Sequence, residues 1–195
     1  PTMRWRCDRS RSATDAQVEC QSHQSRYNIC ARKLKMTVNY ELLGKQLDSL
    51  MASEPDLLAN SANFVGLLFA EIPNINWLGL YIVRESDLVL GPYNGSPACV
   101  RIPMGQGVCG SSASDARTLR VADVDQFSGH ISCDPASKSE IVVPLIIDEV
   151  VIAVLDVDSP VYDRFSRQDQ DGIEKLCRVF VARLRALGAR HKNFI

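Results

Sequence analysis

The apolar residues of this chain change their period at Asn76, and again near Ser166, which restricts the fold to helices packed on an antiparallel sheet. Before Asn76 the pattern is helical. Leu42, Leu43, Leu47 and Leu50 are expected on one face of a first helix. Ser53 precedes Pro55 and Asp56 as an N-cap precedes its first turn, so a second helix is predicted from Glu54 to Glu71. Its buried stripe would be Leu57, Leu58, Val65, Leu68 and Phe69, and Pro73 would end it.

From Asn76 the period becomes that of strands. Trp77 to Val83, a turn at Glu85–Asp87 and Leu88 to Leu90 read as a hairpin. Cys99 to Ile102 is a further extended piece. The glycines of Gly105–Gly110 lead into a short helix over Ser111 to Ala116, followed by a brief strand at Leu119 to Val121. Glu140 to Ile147 and Val150 to Asp158 are two strands joined by a tight Asp148–Glu149 turn. A last helix is expected over Ser166 to Leu187, with Ser166 as its cap, Asp169 three residues on, and Ile173, Leu176, Val179, Phe180 and Leu184 inward. The sum is an α+β domain of about six antiparallel strands flanked by N- and C-terminal helices. The long loop from Asp123 to Ser139 is the exception, since loops of that length are more often functional than idle.

Composition narrows the class. The 195 residues carry a net charge of −1, without the basic face that nucleic-acid binding needs, and no apolar run approaches the roughly 20 residues of a membrane span. Pro1 to Lys35 carries eight basic and three acidic residues, reads as an extension up to residue 36, and leaves 37–195 as the functional domain. No secretory leader is recognisable, and a cytoplasmic location is expected.

Seven cysteines, an odd number without the spacing of a disulfide scaffold, leave three readings open: buried apolar residues, metal ligands or redox thiols. Cys177 sits on the apolar face of the last helix, and Cys7, Cys20 and Cys30 lie in the extension. Cys99, Cys109 and Cys133 fall within 35 residues, each in a loop or at an element end. Cys109 should occupy the first turn of a helix, where free N–H groups and the dipole favour a thiolate or a ligand carboxylate. Cys99, Cys109, His130 and Cys133 offer soft ligands but lack a Cys-x2-Cys pair, a weak pattern for zinc. Thiol chemistry also requires groups that protonate an oxidised substrate. Asp156 and Asp158 alternate on one strand and so share a face, and Glu140 begins the strand beside it. Trp77 and Tyr81 likewise share a face, as core or as a pocket wall.

Seven strings, taken together, carry a family resemblance: Asn76-Trp77-Leu78-Gly79-Leu80-Tyr81, Leu90-Gly91-Pro92-Tyr93, Ala98-Cys99-Val100-Arg101-Ile102-Pro103, Gly107-Val108-Cys109-Gly110, Gly129-His130-Ile131-Ser132-Cys133-Asp134, Ser137-Lys138-Ser139-Glu140-Ile141-Val142-Val143-Pro144 and Val154-Leu155-Asp156-Val157-Asp158-Ser159. From about Thr37 to Ala186 the chain resembles the free methionine-(R)-sulfoxide reductases, stand-alone enzymes of GAF fold. The resemblance implies reduction of the R epimer of free methionine sulfoxide, with no cofactor and with thioredoxin as reductant. By matching position, Cys133 looks like the nucleophile, Cys99 like the resolving thiol, and Glu140 or Asp158 like the proton donor. Cys109 would be an alternative nucleophile, a second resolving thiol or part of the wall. Trp77 and Tyr81 would line the substrate pocket, Glu140, Asp156 and Asp158 would suit the ammonium, and the helix start at Val108, Cys109 and Gly110 would hold the carboxylate through N–H groups. A homodimer through terminal helices is expected. The alternative from another class is a non-catalytic GAF sensor module binding a small molecule, with a zinc-binding regulatory domain a more distant third.

Overall fold

A computed structural model of the chain describes residues 37–129 and 134–189. The basic extension, Cys7, Cys20, Cys30, His130 and Cys133 lie outside the described residues.

Three helices form one layer. In α1 (Tyr40–Met51) the Asn39 side chain accepts from the Leu42 N–H at 2.9 Å and caps the first turn. Its inward stripe is Tyr40, Leu43, Leu47 and Met51, whereas Leu42 and Leu50 are 52% and 44% exposed. The leucines thus do not share one face: spacings of three, four and four make a tighter stripe than the one the leucines alone suggest. Helix α2 (Leu57–Glu71) starts later than Glu54 because Asp56, not Ser53, is the cap, accepting from the Ala59 N–H at 2.8 Å. Leu58 faces solvent, and Asn60 and Ser61 are buried instead. Their donors are satisfied from within: the Asn60 amide nitrogen donates to the Glu54 and Asp56 carbonyls, and the Ser61 hydroxyl to the Leu57 carbonyl, while Asn60 Oδ1 has no partner among the described residues.

The second layer is a six-stranded sheet: β1 (Trp77–Arg84), β2 (Asp87–Asn94), β3 (Arg101–Pro103), β4 (Leu119–Val121), β5 (Ser139–Ile147) and β6 (Val150–Ser159). The spatial order is β3-β2-β1-β6-β5-β4, every pairing antiparallel, so the last strand in sequence sits in the middle. Asp148 and Glu149, both at positive φ (50° and 64°), give the β5–β6 hairpin the turn hand that matches strand twist. β3 begins two residues later than the predicted piece and leaves Cys99 in the preceding loop.

Helix α3 (Gly107–Asp115) starts four residues before the predicted Ser111 and packs on the sheet face opposite the other helices, and α4 (Arg167–Ala186) closes the chain. At the start of α4, the Ser166 hydroxyl accepts from the Asp169 N–H while the Asp169 carboxylate accepts from the Ser166 N–H, a reciprocal cap.

The sheet divides two apolar clusters. Leu78, Leu80 and Ile82 of β1 join Leu43, Leu47, Phe64, Leu68, Leu155, Leu176 and Phe180 on the helical side, where the Phe64 and Phe180 rings stack at 4.2 Å. Trp77, Tyr81, Val142 and Val154 face the other way and pack with Val108, Cys109 and Ala113 of α3.

Candidate active site

Strand register gathers the polar residues. Because β6 pairs with both β1 and β5, Trp77 and Glu140 lie opposite Asp158 on either side, and Gly79 and Val142 lie opposite Asp156. Two residues apart on β6, the aspartates present their side chains to one face. α3 covers that face, so Cys109 in its first turn comes within 3.8 Å, Sγ to Oε1, of Glu140. The pocket between them is lined by Trp77, Tyr81, Val108, Cys109, Glu140, Asp156 and Asp158 from the residues expected. Gly79, Tyr93, Ala98, Ile102, Gly107, Asp134 and Ser137 were not foreseen; all but Gly79 and Tyr93 also line it.

Gly79 explains the aromatic wall. A Cβ there would stand 2.4 Å from Trp77 Cη2 and 2.5 Å from Tyr93 Cβ, so only glycine lets the indole lie along the strand. Trp77 then stacks between Tyr93 at 5.5 Å and Tyr81 at 5.8 Å. Both polar handles reach the loop before β3: Trp77 Nε1 donates to the Ser96 carbonyl at 3.1 Å, and the Tyr81 hydroxyl to the Cys99 carbonyl at 3.0 Å. A glycine between two aromatics in an apolar strand was the signal available in the sequence.

Burial and mutual repulsion dominate the electrostatics. Glu140 and Asp156 are 5% and 6% exposed. Burial, then the negative charge of Asp156 and Asp158, pushes the Glu140 carboxyl well above the usual range, and burial followed by Asp156 does the same to Asp158. Asp156 rises to about 6, chiefly by burial, with hydrogen bonds from Cys109 and Glu140 working against the rise. Asp156 Oδ1 is buried with no hydrogen-bond partner among the described residues. One oxygen each of Glu140 and Asp156 lies within 4.8 Å of Cys109 Sγ and of the other, close enough to surround a single positive charge.

Two expectations change. Burial first, and then the neighbouring carboxylates, push the Cys109 thiol up, so its surroundings favour the neutral thiol over the thiolate. Gly110 does not line the pocket: its N–H is already given to the Gln106 carbonyl at 3.0 Å, and a Cβ on it would stand 2.4 Å from the Pro103 carbonyl oxygen. Cys99 is disulfide-bonded, which removes it from any set of zinc ligands, while Cys109 and Cys177 are free.

A ligand pocket between a six-stranded antiparallel sheet and one short covering helix defines a domain of the GAF class, and the GAF domain family model matches residues 56–184. The chain is 45% identical to the free methionine-R-sulfoxide reductase of Escherichia coli over 73% of its length and 87% of that protein. Among solved structures it is similar to the fRMsr of Staphylococcus aureus in complex with substrate, with a TM-score of 0.73, 46% identity and coverage of 76% of this chain and 97% of that one. It is also similar to the free methionine-R-sulfoxide reductase of Neisseria meningitidis in complex with its substrate, with a TM-score of 0.73, 38% identity and coverage of 76% and 90%. The chain belongs to the GAF domain family and, within it, to the free methionine-(R)-sulfoxide reductases.

Proposed function

We propose that the chain reduces free L-methionine-(R)-sulfoxide to methionine. The observation that carries this reading is the convergence of three carboxyl groups, Glu140 and Asp156 buried and Asp158 half-buried, on an aromatic-walled pocket whose neighbouring loop holds a disulfide-bonded cysteine. Asp156, buried with an unpartnered oxygen, receives the substrate ammonium. Burial and then Asp156 push the Glu140 and Asp158 carboxyls up, which favours their protonated forms, and one of them protonates the sulfoxide oxygen. Trp77 and Tyr81 flank the apolar end of the substrate, and the start of α3 at Val108 and Cys109 faces its carboxylate.

In the chemical step the Cys133 thiolate attacks the sulfoxide sulfur while the oxygen takes a proton. Methionine leaves, reduced by two electrons, and the oxygen stays on Cys133 as a sulfenic acid. The Cys99 thiol then attacks that sulfur, water departs, and a Cys99–Cys133 disulfide forms, which thioredoxin reduces by thiol exchange. A disulfide at Cys99 supports the resolving role, and surroundings that favour the neutral thiol support a place for Cys109 in the wall rather than as nucleophile.

The test is turnover of the free R epimer beside the free S epimer and a peptide-bound sulfoxide, with dithiothreitol or thioredoxin. Activity on the free R epimer alone is expected, with Cys133→Ser abolishing turnover but not binding. A folded, fully reduced chain inactive on all three would instead be a ligand-binding GAF module.

A further inference from the structure

Asn76 immediately precedes β1 and does not line the pocket, yet it is bonded to three residues at its edge. Its main-chain N–H donates to the Asp158 carbonyl at 3.1 Å. Its side-chain Nδ2 donates twice, to Asp134 Oδ2 and to Ser137 Oγ, both at 3.0 Å and across 58 and 61 residues of sequence. The amide has one sensible orientation, because reversing it would set a carbonyl oxygen against the Asp134 carboxylate, which can only accept. The segment that Asn76 holds is tight in itself. Asp134 Oδ1 accepts from the Ala136 N–H at 2.9 Å, the Ser137 N–H donates to the Asp134 carbonyl, and the Lys138 N–H donates to the Ser159 carbonyl at 2.7 Å.

Ser137 is 6% exposed, lines the pocket, and its hydroxyl favours the ionised form of Asp158. A hydroxyl has one proton and accepts through its lone pairs. Once the Asn76 amide occupies the accepting side, the Ser137 proton is left for the carboxylate.

We infer that Asn76 is a positioning residue for the reaction: its amide fixes the chain that begins at Asp134, directly after Cys133 in sequence, against the head of β1, and directs the Ser137 hydroxyl toward Asp158. The inference rests on the proposed reductase reading. Without the amide the proton of Ser137 is no longer committed to Asp158, whose other neighbours are Asp156 on its own strand, Asp134 in the loop, Glu140 across β5, Trp77 across β1, and Cys109 and Tyr81 over the pocket. Those carboxylates repel its charge, so losing the Ser137 contact moves Asp158 further up.

The experiment compares Asn76→Ala, Asn76→Asp and Ser137→Ala with the wild-type chain, all reducing free L-methionine-(R)-sulfoxide from pH 5 to 9. A misplaced reacting group lowers kcat more than binding, so Asn76→Ala should lose about 10- to 100-fold in kcat with KM changed by less than about threefold. The limb of the pH profile that the carboxylates govern should move to higher pH in Asn76→Ala and in Ser137→Ala alike. Asn76→Asp fills the same space without the donor and should be as impaired as Asn76→Ala; recovery of wild-type kcat by Asn76→Asp would overturn the inference. So would wild-type kcat in Asn76→Ala, or an unmoved pH profile in Ser137→Ala, the variant that decides the question if Asn76→Ala does not fold. A wild-type chain inactive toward the sulfoxide removes the reductase reading and the inference with it; an active wild type beside unaltered variants removes the inference alone.

Discussion

At Asp156, function is set against stability. An ordinary aspartate titrates near 3.8, and this one near 6, so the folded chain holds a proton there that the unfolded chain has released. Stability contributed by this site is therefore greatest below pH 4 and declines as pH rises through 6. At about 1.4 kcal/mol for each pH unit of displacement, the difference comes to about 3 kcal/mol by pH 8. Asp156→Asn removes the charge, and it also removes a repulsion that raises Glu140 and Asp158. Thermal melts from pH 4 to 8 should show a flatter dependence in the variant, a higher Tm than wild type at pH 8, and loss of turnover. A lower Tm at pH 8 would show that the carboxylate is favourable where it stands. The same site shows where reading the residues stopped: alternation put Asp156 and Asp158 on one face, but the raised titration of both follows chiefly from burial, which has no period.

Among the elements, α4 and the β5–β6 hairpin were the most legible, and for one reason. Their signals are local: a cap with its acid three residues on, and two apolar runs either side of a two-residue turn. The inward face of α1 was not legible, because adjacent leucines offer two stripes and the partner helix chooses. Gly172 shows how that partner acts. A Cβ there would lie 2.2 Å from the Tyr40 ring, whose hydroxyl donates to Asp169 Oδ1 at 2.7 Å. Helix propensity alone favours alanine over glycine by about 1 kcal/mol. The clash with a ring tethered at its far end reverses the sign, and Gly172→Ala is expected to destabilise by about 1–3 kcal/mol. Urea titration checks it: a raised midpoint would mean that Tyr40 moves aside at little cost.

Across the whole domain, the site depends on pairings that no local pattern announces. The order β3-β2-β1-β6-β5-β4 inserts the last strand between the first and the fifth, and only that insertion brings Trp77, Glu140 and the two aspartates together. The three acids and both aromatics were nameable beforehand as candidates, while Asn76 and Ser137, 61 residues apart, became partners only once the sheet was assembled. The family resemblance supplied the substrate, which neither composition nor spacing contains. Among the described residues no helix is long and apolar enough to cross a membrane. The sheet itself has a further consequence, since it separates a large helical cluster from a small one that carries the polar groups. Residues of the helical core and residues that line the pocket point in opposite directions from the same strands. A chain of this design can exchange pocket-facing side chains at alternate strand positions without altering the residues of its helical core.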